Sequence, residues 1–377
     1  MAQIGLYVNK PVILHICLSK GWGGLEMYPI RIGKEFQERG YKIYGLCISN
    51  SQVAKGMRDA GIEVFEIKNK SSLIFSDLFK LNSWLKERSV NTVHCHKSGD
   101  VLVSALLSLV TTRCSFFTEH MGITSSKKDL YHTWIYKHLD KVLAISNETY
   151  QRNLIALPVK KEKLTRLWLG TDIPKARNNT LESIIEIKKK LGLKSNSITI
   201  GNVGRICPGK GQKELLEGFA LIAGNYPKTQ LLIVGGLKIS QGADTNYLKT
   251  LQDMIVELGL EDRVIFAGFK KDTYEALSIM DIVCLPNHNE AFGLTAIEAM
   301  AARKAIVAST TGALPEVLDN TALFCNPLNP NEIASRIESY INDHDLKNDN
   351  AGMAYLRAKK EFSMEAHISK LEKLYYK

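Results

Sequence analysis

A chain of 377 residues with 45% hydrophobic and 23% charged side chains is long for one core and comfortable for two domains, and its composition fits neither a disordered nor a membrane-spanning protein. The longest apolar run, residues 101–110, holds Ser104 and Ser108 and is about half the ~20 residues that a membrane-crossing helix needs. Charge is placed unevenly: up to Asp172 there are 24 Lys and Arg against 15 Asp and Glu, a net of +9, and from Ile173 onward 25 against 24, a net of +1.

Lys10 and Pro11 interrupt the N-terminal stretch and no small-residue cleavage pattern follows, so no secretory leader is expected. Residues 12–18 read as the first strand, and SKGWGGLEMY follows directly. A glycine-rich turn between strand and helix admits a diphosphate close to backbone N–H groups. Gly21, Gly23 and Gly24 do not form GxGxxG, however, and a plain tight turn reads the same. Helical spacing runs over residues 25–40, with Gly40 as the stop. Strands over 42–48, 64–67, 92–96, 114–118 and 142–145 then alternate with helical stretches, which implies a mostly parallel sheet covered on both faces. Ligands of such sheets bind beyond the carboxyl ends of the strands, which singles out His96-Lys97-Ser98, Glu119-His120 and Ser146-Asn147. His94 and His96 lie two apart on a strand and point to one side. As a metal pair they need a further ligand that the sequence does not identify; packing and hydrogen bonding is the other reading.

Two stretches of this half mix basic and apolar residues. Residues 76–88 place Leu78, Phe79, Leu81, Trp84 and Leu85 among Lys80, Lys86 and Arg88, as in a helix packed on its own core or an interfacial anchor. Residues 122–138 carry Lys127, Lys128, Tyr131, Trp134 and Tyr136, a pattern suited to a bilayer surface and also to an ordinary helical surface. The seven cysteines are scattered without a CxxC, so neither a disulfide framework nor a zinc knuckle is indicated, and Cys17, Cys47 and Cys95 read as buried small hydrophobes. A reducing cytoplasm fits.

Residues 164–169 supply the last strand of the first half. The domain crossing is expected near Ile173, with a polar loop over 175–179 and a helix over 181–191 ended by Gly192. Residues 198–203 form a strand that enters GRICPGKGQKELLEGFALIA. Here Gly204 opens a turn on which Arg205 and Lys210 can converge on a diphosphate, Arg as a planar multidentate donor and Lys as a compact charge; two solvated surface cations are the plain alternative. The spacing is not a Walker A loop, so ATP hydrolysis is disfavoured. Strands over 230–234 and 264–269 follow. Residues 281–285 form a buried strand broken by Pro286, Asn287 and Asn289, and residues 294–302 a helix. Its start attracts anions, and Gly293 allows a ligand close to the backbone. A carboxylate there would repel phosphate, so Glu290 and Glu298 more naturally accept hydrogen bonds from hydroxyls. Residues 305–309 give a strand followed by Thr310-Thr311-Gly312-Ala313. A terminal helix from Glu361 onward has Phe362, Ile368, Leu371, Leu374 and Tyr375 as its apolar set.

Glu290 and Glu298 in Glu-x7-Glu spacing, with Phe292, Gly293 and Leu294 between them and Gly204-Arg205 and Lys210-Gly211 upstream, resemble the GT-B glycosyltransferases of family 4, group 1. These transfer sugars from nucleotide-sugar donors with retention of anomeric configuration. The resemblance covers nearly the whole chain, and its C-terminal half is the more specific. It implies an α/β, GT-B fold of two Rossmann-like doubly wound domains facing across a cleft. Residues 1–172 would bind acceptor, 173–195 form a linker and connecting helix, 196–358 bind the nucleotide sugar, and 359–377 cross back as a helix. Gly23 and Gly24 would close over the donor phosphates or shape the acceptor pocket. His120, in Thr118-Glu119-His120-Met121-Gly122, would lie beside the donor sugar. Phe269 sits where the family holds the base, though core packing reads equally well. Lys97, Glu119, Lys127 and Lys128 are the candidate acceptor contacts.

The implied catalytic set is His120, Arg205, Lys210 and Glu290. Arg205, Lys210 and helix-end N–H groups would stabilise the charge on the departing diphosphate more in the transition state than in the ground state. Glu298 would hold the ribose hydroxyls. Glu290 and the backbone from Ala291 through Phe292 and Gly293 to Leu294 would orient sugar and diphosphate. No DxD pair stands in the expected setting, so the two cations replace a metal and no cofactor is expected. The residues alone leave stereochemistry open, since an inverting enzyme could use His120 or Glu119 as base. UDP is the preferred nucleotide, with GDP the alternative. A glycan or lipid-linked acceptor of bacterial surface polysaccharide or lipopolysaccharide synthesis suits a basic cytoplasmic protein, peripheral at an anionic membrane; a merely solvated basic surface is the alternative. No nucleic-acid module is recognisable. The competing readings are a sugar-nucleotide epimerase of the same architecture and a non-catalytic nucleotide-sugar-binding protein.

Overall fold

Strand and helix taking turns along the chain produce two parallel sheets, and the computed structural model describes residues 10–73, 77–123, 125–174 and 180–376. The expected loop at 175–179, and the residue at which the 76–88 stretch begins, lie outside the described residues. The chain divides into one unit made of Met1–Gly170 with Met364–Lys377 and a second made of Thr171–Ser363. Both are α/β, Rossmann-like and doubly wound.

The first unit contains β1 (Val12–Cys17), β2 (Lys42–Ile48), β3 (Glu63–Ile67), β4 (Thr92–Cys95), β5 (Cys114–Glu119), β6 (Lys141–Ala144) and β7 (Leu164–Arg166), in the order β3-β2-β1-β4-β5-β6-β7. The second contains β8 (Ile198–Val203), β9 (Thr229–Val234), β10 (Val264–Gly268), β11 (Ile282–Leu285), β12 (Ala305–Ser309) and β13 (Leu323–Cys325), in the order β10-β9-β8-β11-β12-β13. Strand order reverses between β1 and β4 in one sheet and between β8 and β11 in the other. At such switch points the loops at the carboxyl ends diverge and leave a crevice.

Apolar side chains on alternate residues drive both sheets into cores. Leu14, Ile16, Leu46, Val93 and Phe117 pack together in the first unit, and Ile200, Leu231, Ile233, Ile282 and Val307 in the second. Helix starts are fixed locally. The side chains of Ser51, Asp129, Ser146 and Asp244 each accept a backbone N–H of the following first turn, a contribution of roughly 1 kcal/mol apiece.

Several expected bounds shift. β7 ends at Arg166 rather than continuing to residue 169, because the Trp168 carbonyl turns to accept from His367 Nδ1 at 2.7 Å. The division falls between Gly170 and Thr171, and Leu181–Lys190 is a helix of the second unit rather than a linker. Its buried Lys188 donates to the Ser197 carbonyl at 2.6 Å beside β8. The expected terminal helix is split. His344–Glu361 belongs to the second unit, where Phe362 packs edge-on against Phe292 at 6.0 Å and its carbonyl accepts the Thr171 N–H. Met364–Tyr375 alone belongs to the first unit.

The amphipathic stretch at 76–88 resolves into the helix Leu78–Glu87, with Leu81 and Leu85 buried. Trp84 lies edge-on to Tyr44 and Phe65, so most of the apolar stripe is core; Phe79 alone is strongly exposed. Tyr136 is fully buried against Phe117 and is not part of a surface with Tyr131 and Trp134. Among the described residues no helix is long and apolar enough to cross a membrane.

Candidate functional site

In the second unit the switch point brings three glycine-bearing loops together. β8 runs into residues 204–211, and Gly211, at φ +73°, starts the helix Gln212–Ala223. A Cβ on Gly211 would stand 2.0 Å from the Pro286 carbonyl oxygen, so only glycine permits this approach of the loop after β8 to the loop after β11. The His288 N–H donates to the Gly209 carbonyl at 3.0 Å, which fastens the same two loops. The loop after β12 closes the other side. The Thr311 hydroxyl donates to the His288 carbonyl at 2.6 Å and the Ala313 N–H to the Glu290 carbonyl at 2.8 Å.

Glu290 is the centre of this assembly. One of its carboxylate oxygens accepts from Lys210 Nζ at 2.7 Å and from Asn287 Nδ2 at 2.7 Å. Both ionic side chains remain about one-fifth to one-quarter exposed. A pair so placed is worth about 1 kcal/mol or less, and an incoming diphosphate can replace it at Lys210. Gly293, at φ +95°, starts the helix Leu294–Ala301, and a Cβ there would meet Leu314 Cδ2 at 2.7 Å. Neither Gly211 nor Gly293 caps its helix with a side chain; the Lys213 N–H is taken by the Tyr247 hydroxyl at 3.2 Å and the Ala296 N–H by the Gly293 carbonyl at 2.9 Å, and the other first-turn N–H groups can meet an anion.

The other expected residues of this unit lie at the same sheet end. The Arg205 carbonyl accepts from Gln212 Nε2 at 2.9 Å and its side chain is exposed. Glu298, in the second turn of its helix, accepts the Thr273 hydroxyl at 3.0 Å. Phe269 follows the left-handed Gly268 at the end of β10 and is 58% exposed, which removes core packing as its explanation. Asn287, Gly211 and Thr311 were not singled out from the sequence as ligand-site residues. Their roles depend on loops brought together from distant positions; Gly211 stood in the Lys210-Gly211 pair of the resemblance without a role of its own, and breaks in the apolar pattern were the signal at Asn287.

The first unit has a cavity of about 310 Å³ at its own switch point. His96, Lys97, Ser98 and Gly99 line it after β4, Glu119 at the end of β5, His120 and Lys127 after β5, and Lys70 after β3. Lys97 donates to Ser19 Oγ at 3.0 Å and lies 3.8 Å from Glu26, and Ser19 in turn donates to Glu26 at 2.7 Å. That network closes the glycine turn after β1. Gly23 there has an extended φ of −174°, with the Glu26 carboxylate 3.4 Å from where a Cβ would stand, and Gly24 begins the helix Gly24–Glu38.

Glu119 is buried and accepts the backbone N–H groups of Met121 at 3.1 Å and Gly122 at 2.5 Å. Burial raises its pKa, which the two N–H groups and nearby Lys127 oppose. Its carboxylate thus shapes the loop that carries His120. His120 packs against Tyr28 with ring centroids 4.9 Å apart, and burial lowers its pKa to about 3. A neutral imidazole of such weak basicity is poorly suited to abstract a proton at neutral pH. Burial also lowers the Lys127 pKa. Lys128 is exposed and does not line the cavity.

The third histidine that the sequence did not identify is His15. β1 pairs β4 with His15 opposite His94, and the ligand-capable nitrogens of His15, His94 and His96 lie within 4.8 Å of one another, all buried. The rings are engaged with each other and with their surroundings. His15 Nδ1 meets His96 Nε2 at 3.0 Å, and His94 meets Tyr375 at 2.6 Å and Thr118 at 2.7 Å.

Comparison with known proteins follows the same division. A model of the glycosyl transferases group 1 matches residues 183–355, and a model of Glycosyltransferase Family 4 matches residues 22–174. A D-inositol 3-phosphate glycosyltransferase of Corynebacterium jeikeium is 32% identical over 212 residues, 55% of this chain and 50% of that protein. The chain therefore spans about half the length of that relative. An N-acetyl-alpha-D-glucosaminyl L-malate synthase of Bacillus anthracis is 22% identical over 94% of each chain. Among solved structures, HepE of Anabaena in complex with UDP and glucose superposes with a TM-score of 0.77 at 22% identity, covering 96% of this chain and 98% of that one. That likeness shows the GT-B fold.

Proposed function

This chain belongs to the family 4, group 1 glycosyltransferases, and from that premise we propose that it transfers a hexose-type sugar from a UDP-sugar to an acceptor hydroxyl with retention. The observation that carries the proposal is the meeting of Lys210, Glu290 and Asn287 between two uncapped, glycine-started helices. Lys210, Arg205 and the helix-start N–H groups receive the diphosphate, Glu290 and the backbone from Ala291 to Leu294 orient it with the sugar, and Glu298 takes the ribose hydroxyls. Phe269, exposed beyond β10, offers a face to the base.

In the step proposed, the bond from the anomeric carbon to the donor phosphate oxygen breaks, and the bond to the acceptor oxygen forms on the same face. The departing phosphate takes the acceptor proton. The weak basicity of His120 and the two N–H groups held by Glu119 favour this course over a protein base. Positive charge from Lys210, Arg205 and the helix starts does the work a metal ion would do, so the reading is metal-independent. For the acceptor we favour a glycan or lipid-linked acceptor of bacterial surface polysaccharide or lipopolysaccharide synthesis, met by a cytoplasmic protein at the membrane's inner face.

A nucleotide-release assay across UDP- and GDP-sugars, with and without acceptors, tests the proposal. Acceptor-dependent UDP release with an anomerically retained product is expected. Epimerised donor formed without acceptor would instead support an epimerase, and bound donor with no turnover under any pairing a binding protein.

A further inference from the structure

We propose that His288 is a positioning residue for the donor diphosphate: its ring fastens the loop after β11 to the first turn of the helix Gln212–Ala223 and screens the Glu214 carboxylate there; this rests on the glycosyltransferase reading above. His288 Nε2 stands 3.0 Å from Glu214 Oε1, across 74 residues of chain. A carboxylate accepts and does not donate, so the ring nitrogen carries the proton of this bond. The backbone of the same residue makes two more connections. Its N–H donates to the Gly209 carbonyl at 3.0 Å, and its carbonyl accepts from the Thr311 hydroxyl at 2.6 Å. His288 thus bonds to the loops after β8 and β12 and to a helix start. It also adjoins Asn287, which donates to the Glu290 carboxylate that holds Lys210.

Glu214 is the third residue of a helix that begins after Gly211 without a side-chain cap. An acid in a first turn suits the helix dipole. It also stands among N–H groups offered to a diphosphate, where a bare carboxylate repels the ligand. The Tyr247 hydroxyl, on the helix Thr245–Glu257, accepts the Lys213 N–H at 3.2 Å and steadies this turn. With 16% of the Glu214 side chain and 35% of that of His288 exposed, the ring takes the place of water on the carboxylate. A pair this exposed adds little to folding stability. Its consequence is local: the bond draws the carboxylate toward the loop after β11 and sets the spacing of the two helix starts that would receive the diphosphate. A ring without a donor nitrogen would leave the Glu214 charge uncompensated beside the ligand.

Replacing the ring leaves both backbone bonds of His288 in place, so the variants are expected to fold and to melt near the wild-type temperature. Calorimetry on the full chain compares UDP with UMP, which lacks the second phosphate, and GDP with GMP, for wild type, His288→Phe and His288→Gln. The preference for diphosphate over monophosphate is expected to fall at least fivefold in His288→Phe. It is expected to return to within twofold of wild type in His288→Gln, whose amide keeps a donor for Glu214. Adding Glu214→Gln to His288→Phe removes the uncompensated charge and is expected to regain part of the lost preference. Amide exchange in the ligand-free protein reads the fastening without any donor: exchange in His288→Phe is expected to quicken at residues 209–214 and 287–290. A diphosphate preference retained by His288→Phe, an equal loss in His288→Phe and His288→Gln, or unchanged exchange at those residues overturns this proposal alone. A wild-type chain that prefers neither UDP to UMP nor GDP to GMP defeats the glycosyltransferase reading, and this proposal with it.

Discussion

Lys210 and Glu290 are 80 residues apart and 2.7 Å from each other, and each alone has an ordinary reading as a surface charge. Together they tie the loop after β8 to the loop that leads from β11 into the helix Leu294–Ala301. Removing either leaves the fold nearly as stable, because a partly exposed pair contributes about 1 kcal/mol or less. Its effect on turnover is different in kind. Lys210→Ala and Glu290→Gln are expected to lower kcat by roughly 10²–10³, the range found when one group stabilising developing charge is deleted. Steady-state kinetics and a thermal melt on the same preparations check this; wild-type rates in both variants would exclude the assignment. The residues were legible through their spacing and the family motif. Their direct bond was not, since nothing in a linear sequence specifies which cation answers which carboxylate.

One face of the first sheet carries an unusual layer at the scale of elements. His15 from β1, His94 from β4 and His96 beyond it, with His120 and His367, are all buried. Tyr28 from the helix Gly24–Glu38 donates its hydroxyl to His367 Nε2 at 2.8 Å, because Nδ1 of that ring already donates to the Trp168 carbonyl. Burial holds His15 and His120 at about 3 and His367 at about 4, with His94 and His96 also well below the usual 6.5.

A group whose folded pKa is depressed stabilises the fold above its unfolded pKa, and that contribution is lost as pH falls toward the folded value. Two carboxylates facing the same region act oppositely: burial raises Asp100 to about 6 and also raises Glu119. Histidines outnumber them, so the melting temperature of the first unit is expected to fall steadily from about pH 6.5 downward. Calorimetric melts between pH 7.5 and 5 measure this; a flat profile would contradict it, and His120→Gln should shallow the slope. The His94 and His96 alternation was visible in the sequence. The third member was not, because pairing of β1 with β4 crosses about eighty residues of chain.

For the whole molecule, the distinguishing quantity is the distribution of charge, +9 up to Asp172 against +1 beyond it. Beside Lys127 and Lys128, the helix Leu130–Lys137 exposes Leu130 at 91%, Tyr131 at 50% and Trp134 at 37%. Apolar groups next to lysines suit an anionic bilayer surface, each lysine adding about 1 kcal/mol near it. The chain is expected to sediment with phosphatidylserine-containing vesicles at low ionic strength and to be released in high salt, and Trp134→Ser with Lys128→Gln should weaken that binding several-fold. Absence of association at every ionic strength removes the membrane from the account.

The alternation of strands and helices, the glycine turns after them and the spacing of Glu290 and Glu298 all follow from local pattern, and these determined the fold class and the two-part organisation and marked the residues proposed for the donor site. Local pattern suffices there because backbone preferences and buried periodicity act over a few residues at a time. Which unit owns Phe362 and the helix Leu181–Lys190, the burial of Tyr136, and the gathering of Lys70, Lys97 and Lys127 around one cavity were decided by tertiary structure. Each depends on strand order and loop approach, which are set by packing between segments far apart in the chain.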